Sequence, residues 1–189
     1  MVESGTSPNE GAVRLVAVGD SITYADSPDF AKGEFGAESW LHYVIGEDVS
    51  FVGGWARWGA TTSEIAQNVE RIDADVLVIM AGTNDTALGP SFRKTSENIT
   101  EIAETVGANE VLLCGIPPID HSPQIAEEFN HELEALAEER GWHWVDTGDS
   151  VRTSTNTFAS GMASDGVHPT ARGAQRLGEA INAALHEIF

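Results

Sequence analysis

The sequence predicts a single α/β domain in which a parallel sheet lies between two layers of helices. Three observations carry this. Short apolar runs alternate with longer amphipathic stretches along the chain. The apolar runs are near-continuous in Val, Ile and Leu, as strands covered on both faces require. The stretches between them are long enough for the helical, right-handed crossovers that parallel strands need. With 189 residues, the chain can build one domain with a substantial core and is short for two.

The elements follow in order. Residues 1–11 are polar and small and read as a flexible N-terminal segment, so the domain runs over 12–189. Strands are expected over Arg14 to Gly19, Val49 to Gly53, Asp75 to Met80, Glu110 to Gly115 and Trp142 to Asp146. Helices are expected over Glu38 to Ile45, Thr62 to Ile72, Phe92 to Val106, Ile125 to Arg140 and Thr170 to Ile188. In the last of these, Leu177, Ile181 and Leu185 recur every four residues and form one apolar stripe. Two loops, Ala25 to Ala37 and Gly148 to Ser164, are longer than the connections need. No internal repeat or linker interrupts the pattern.

Charge narrows the possible partners. Thirty acidic residues stand against ten basic ones, giving a formal net charge of -20. Such a surface repels phosphate backbones and anionic lipid, which argues against nucleic-acid and membrane-surface roles. The acidity is dispersed and suits a well-solvated surface; having only two lysines also suits salty surroundings. The single cysteine, Cys114, lies in an apolar run, reads as a small core residue, and leaves no cysteine-rich zinc site. Neither a basic segment leading into an apolar one nor a long apolar span is present, so a cytoplasmic protein without membrane insertion is expected. No metal or cofactor is implied: the Gly-x-Gly-x-x-Gly and P-loop patterns are both missing.

Chemistry-bearing residues fall after the strands. Ser21, in Gly19-Asp20-Ser21-Ile22-Thr23, sits where the first strand ends and a helical turn begins, so its hydroxyl would be exposed and its N–H would point from a helix start. Asp20 and Ser21 are equally good helix caps. Gly59 follows the second strand and offers an unobstructed N–H, or is an ordinary loop glycine ahead of a capped helix. Asn84, in Gly82-Thr83-Asn84-Asp85 after the third strand, can aim an amide into a site or simply form a turn. Asp165 stands three residues before His168, a spacing that lets a carboxylate fold back on the imidazole and fix its tautomer. Ligands bind beyond the carboxyl ends of strands in open α/β sheets, and these residues converge there. The nucleophile-elbow pattern Gly-x-Ser-x-Gly is absent from the chain.

Gly19-Asp20-Ser21, Gly59, Gly82-x-Asn84-Asp85 and Asp165-x-x-His168, in that order, resemble the four blocks of the SGNH hydrolases, also called GDSL esterases and lipases. The resemblance spans Gly19 to His168. It implies a flavodoxin-like three-layer α/β/α sandwich with about five parallel strands. It implies Ser21 as nucleophile, His168 as base and Asp165 as its partner, with Ser21 N–H, Gly59 N–H and the Asn84 side chain as an oxyanion hole. Two departures stand out: Ala25 where many members have glycine, and Arg57-Trp58 in place of an Asn-containing lead-in to Gly59.

The expected activity is hydrolysis of short-chain or exposed carboxylic esters, aryl or acetylated carbohydrate esters, through an acyl-enzyme. The substrate would be a small-molecule or carbohydrate ester, with Asp20, Trp55, Trp58 and Pro117 as candidate pocket residues. An acyltransferase using the same site is an alternative, and a non-catalytic binding module on the same fold is an alternative of another class. Oligomeric state is not legible in the sequence.

Overall fold

The computed structural model describes residues 11–89 and 91–189. The N-terminal segment expected to be flexible therefore lies outside the described residues, except for Gly11. Five strands, β1 (Val13–Gly19), β2 (Val49–Ala56), β3 (Val76–Met80), β4 (Glu110–Cys114) and β5 (His143–Val145), form one parallel sheet in the order β2-β1-β3-β4-β5. Among the described residues, seven α-helices surround it: α1 (Ser21–Tyr24), α2 (Leu41–Val44), α3 (Thr62–Asn68), α4 (Thr83–Leu88), α5 (Phe92–Val106), α6 (Pro123–Arg140) and α7 (Ala171–Ile188).

Side chains alternate across the sheet, and the two faces have separate cores. Leu15, Ala17, Val76, Val78, Met80, Leu112 and Cys114 pack with Trp40 and Leu41 of the α2 region and with Leu177, Ile181 and Leu185 of α7. Val16, Val18, Leu77, Ile79 and Leu113 pack with Ile65 of α3, Ile99 and Ile102 of α5, and Leu133 and Leu136 of α6. Leu15 to Val18 and Val76 to Ile79 have no exposed surface, which is why both strands read as continuous apolar runs. The apolar stripe expected on the last helix faces the first of these cores. Burial pushes the Cys114 thiol above its ordinary range, consistent with an unreactive core residue. Among the described residues, no helix is long and apolar enough to cross a membrane.

Element bounds shift where tertiary bonds compete with local pattern. The helix expected over Thr62 to Ile72 stops at Asn68, because the Ile72 N–H donates to the Val106 carbonyl at the end of α5 instead of continuing the helix. The helix expected from Glu38 keeps a single turn, Leu41–Val44. β2 runs on to Ala56 through a register shift opposite Leu15 and Val16. The chain enters α6 at Pro123, whose missing N–H costs nothing in a first turn. α4 was not expected, since its six residues read as a turn.

This strand order places the site. From β1 the chain goes to β2 on one side and then crosses to β3 on the other, so the C-terminal ends of β1 and β3 flank a topological switch point, where open α/β sheets bind ligands. α1 begins directly beyond β1, and α4 just beyond β3.

Candidate active site

At the end of β1, Gly19 lies so close to α1 and β3 that an added Cβ would meet Thr23 Oγ1 at 2.2 Å and Met80 O at 2.5 Å. Only glycine permits that approach, and it sets Ser21 at the head of α1. Asp20 is the cap: its Oδ1 accepts from the Ile22 N–H at 3.0 Å. The turn is pinned from behind, where Trp40 Nε1–H donates to Thr23 Oγ1 at 3.1 Å and Ser39 Oγ–H to the Thr23 carbonyl at 2.7 Å.

Ser21 Oγ lies 3.0 Å from His168 Nε2, although 147 residues separate them. The other ring nitrogen, Nδ1, is 2.7 Å from Asp165 Oδ2. A carboxylate at Nδ1 favours the tautomer with its proton there, which leaves Nε2 an acceptor toward the serine. Asp165 Oδ1 in turn accepts from the backbone N–H groups of His168 at 2.8 Å and Val167 at 3.0 Å. Chiefly through the His168 backbone bond, with the imidazole contact adding to it, these hold the Asp165 carboxyl down at about 2. Asp165 is thus an anion throughout the neutral range.

The histidine loop is tied to the segment after β4. The Asp120 N–H donates to the Gly166 carbonyl at 2.9 Å, and Asp120 Oδ1 accepts from the Phe158 N–H at 2.7 Å. Behind the loop, the Ser164 N–H bonds the His168 carbonyl at 2.9 Å, and Thr170 caps α7 through the Gly173 N–H. Asp120 was not singled out by sequence reasoning, because a lone Asp after Pro117-Pro118 carries no local signature.

Gly59 takes a left-handed turn, φ 74°, and a Cβ there would meet nothing within 4 Å, so it is the backbone conformation and not crowding that favours glycine. Asn84 reaches across from α4, and its Nδ2 donates to the Ala60 carbonyl at 3.0 Å, using one of the two amide hydrogens. Its neighbour Asp85, 2% exposed, accepts from the Thr62 N–H at 3.0 Å, the Thr62 hydroxyl and the Thr95 hydroxyl at 3.2 Å. Asn98 Nδ2 completes the cluster on Thr62 Oγ1 at 3.0 Å. Asn84 and Asp85 together therefore clamp the 59–62 turn against the end of β3. The sequence marked Asp85 only as part of a block; its buried anchoring role follows from α3 and α5 packing over it.

The four candidate pocket residues separate. Trp58 lies beside the serine–histidine pair: its indole stacks on His168 with centroids 5.1 Å apart and planes 29° apart, and its Nε1–H donates to the Ala25 carbonyl at 2.9 Å. The two departures from the family pattern, Ala25 and Trp58, thus meet in one hydrogen bond. Trp55 does not flank the site. It sits within β2 and packs on the α3–α5 face near Ile72 and Val69, because alternation along the strand turns it to that layer. Asp20 does not line an open pocket: it is 1% exposed, and Oδ2 has no hydrogen-bond partner. Burial pushes its carboxyl up to about 7; the Ile22 N–H and the His168 charge pull the other way, and the Asp85 charge adds to the rise. Pro117 is buried, whereas Pro118 lines a cavity of about 170 Å³ between α6 and the 146–156 loop, whose lining includes Trp144 and Arg152 but neither Ser21 nor His168. Among the described residues, no group of His, Cys, Asp and Glu could hold a metal ion.

A five-stranded parallel sheet of this order, with helices on both faces and a hydrogen-bonded Ser–His–Asp chain at its switch point, is a three-layer α/β/α sandwich of flavodoxin-like topology. The profile of the GDSL-like Lipase/Acylhydrolase family matches residues 17–176, and the chain belongs to that family of ester-hydrolysing enzymes. No curated protein sequence matches it. Solved structures share the fold. A lipolytic G-D-S-L family protein from Veillonella parvula superposes with a TM-score of 0.71 at 19% identity, covering 94% of this chain and 98% of that one. A GDSL-like lipase from Bacteroides thetaiotaomicron gives 0.71 at 24%, covering 96% and 92%. A carbohydrate acetylesterase from Sinorhizobium meliloti gives 0.68 at 19%, covering 94% and 100%.

Proposed function

We propose that the protein hydrolyses short-chain or exposed carboxylic esters through an acyl-enzyme on Ser21. The observation that carries this is the continuous hydrogen-bonded chain Ser21 Oγ–His168 Nε2, His168 Nδ1–Asp165 Oδ2 at the switch point. Ser21 Oγ attacks the acyl carbon while His168 Nε2 takes its proton. Asp165 holds the ring in register and stabilises the imidazolium. The N–H groups of Ser21 and Gly59 and the second amide hydrogen of Asn84 receive the oxyanion. As the acyl C–O bond breaks, the alcohol oxygen keeps the electron pair and collects the proton from Nε2. Water then repeats the sequence on the acyl-enzyme and frees the acid. No metal or cofactor enters these steps.

The substrate class proposed is an aryl or acetylated carbohydrate ester. Trp58 beside His168 supports a ring-bearing substrate, and a carbohydrate acetylesterase among the proteins of the same fold is consistent with it. The test is turnover of p-nitrophenyl acetate together with labelling by a fluorophosphonate. Ser21→Ala abolishes both. Asn84→Ala lowers kcat by about 100- to 1,000-fold, the loss expected of one oxyanion donor. Turnover or labelling that survives Ser21→Ala overturns the assignment.

A further inference from the structure

Trp58 is 55% exposed, yet its ring is fixed at two points. One is the Nε1–H bond to the Ala25 carbonyl, the other the stack on His168. The first ties it to the end of α1, the turn that carries Ser21; the second ties it to the imidazole facing that serine. Ala25 presents its carbonyl from a backbone turned to φ 45° and ψ -126°, a region alanine rarely adopts, and such strain persists where the surrounding contacts over-determine it. The indole is therefore a placed group and not a loose surface ring.

Its place decides which part of a substrate it meets. The departing alcohol oxygen must come within hydrogen-bond reach of His168 Nε2 to be protonated. A ring attached to that oxygen then lies within a ring's width of an indole whose centroid is 5.1 Å from that of the imidazole. The indole is the larger ring, so part of its face extends past the imidazole it covers. A rigid ring packs on that face with few rotors to freeze, whereas an open alkyl chain loses its rotamer freedom for the same contact. The formal net charge of -20 favours a neutral ring over an anionic one.

We propose that Trp58 is a specificity-determining residue that selects esters whose alcohol carries a neutral ring, aryl or pyranosyl, over esters of open-chain alcohols. This rests on the reading of Ser21 and His168 as nucleophile and base.

The experiment compares kcat/KM for benzyl acetate, a mono-acetylated methyl glucoside and hexyl acetate, each ratio being read as its change between parent and variant so that differences in leaving-group acidity cancel. In Trp58→Ala, the preference for at least one ring-bearing ester over hexyl acetate falls about fivefold, mainly through KM, the size expected for one lost ring-on-ring contact. Trp58→Leu, which keeps apolar bulk without the flat face, shows the same loss, and Trp58→Phe recovers most of it. Loss confined to benzyl acetate assigns the face to aryl alcohols, and loss confined to the glucoside assigns it to pyranoses. An equal fall for all three acetates, or unchanged ratios, overturns the proposal, because Trp58 would then only support His168. Failure of the underlying site is read separately, as fluorophosphonate labelling that survives Ser21→Ala, while the Trp58 ratios are measured on unlabelled, folded enzyme whose active-site concentration is fixed by labelling a separate aliquot.

Discussion

Asp20→Asn isolates the electrostatic cost of building α1 on a buried carboxyl. Asp20 caps Ile22 with one oxygen, leaves the other unpartnered, and has its carboxyl raised from 3.8 to about 7 by burial, with Asp85 adding to the rise. A folded value above the unfolded one means that the native state binds the proton more tightly. The resulting stability is complete below the unfolded value and is lost as pH rises through about 7. A difference of about three units at 1.36 kcal/mol each makes the loss about 4 kcal/mol between pH 4 and pH 8. Asparagine keeps the capping oxygen and carries no charge, so the variant escapes this loss. Urea denaturation followed by tryptophan fluorescence at pH 4.5, 5.5, 6.5, 7.5 and 8.5 measures it. The stability of Asp20→Asn relative to the parent should rise across the series and level off above about pH 7.5. Fixed costs, such as an unpartnered amide in the variant, shift all points equally and leave the slope intact. A difference constant within about 0.5 kcal/mol over that range refutes the reasoning, because one ionising group must produce a slope when its pKa changes on folding.

Two further changes probe the scaffold around the site. Asp85→Ala leaves the Thr62 N–H and the hydroxyls of Thr62 and Thr95 without their acceptor, which should cost about 3 kcal/mol and lower kcat by loosening the 59–62 turn; an unchanged thermal midpoint and unchanged turnover would remove Asp85 from this role. Ala25→Gly relieves the positive φ while keeping the carbonyl that holds Trp58, and should stabilise the fold by about 1 kcal/mol after the entropy lost to glycine; a lower midpoint would show that the Ala25 methyl contributes more than its backbone costs.

Much of this protein is legible in its residues because the relevant signals are local. The Val76–Met80 run reads as a buried strand since nothing polar interrupts it, and Leu177, Ile181 and Leu185 read as one helical face by their spacing alone. Asp165 and His168 are close enough in sequence for their pairing to be anticipated. Ser21, by contrast, is as good a cap as a nucleophile until the other blocks are counted, and its 3.0 Å approach to His168 exists only once β1 and the last loop are folded together. Trp55 and Trp58 look equivalent in sequence. Strand alternation sends Trp55 to the α3–α5 layer, while Trp58, past the end of β2, reaches His168. Asp20 and Asp85 are two more acidic residues in an acidic chain until packing removes water from both. Asp85 then finds hydrogen-bond donors, and Asp20 is left with one oxygen unpaired. The sequence by itself determines the periodicities, the chemical blocks and their order. The tertiary structure alone decides burial, facing and partner, because each of these depends on what distant segments bring against the same few ångströms of the sheet's edge.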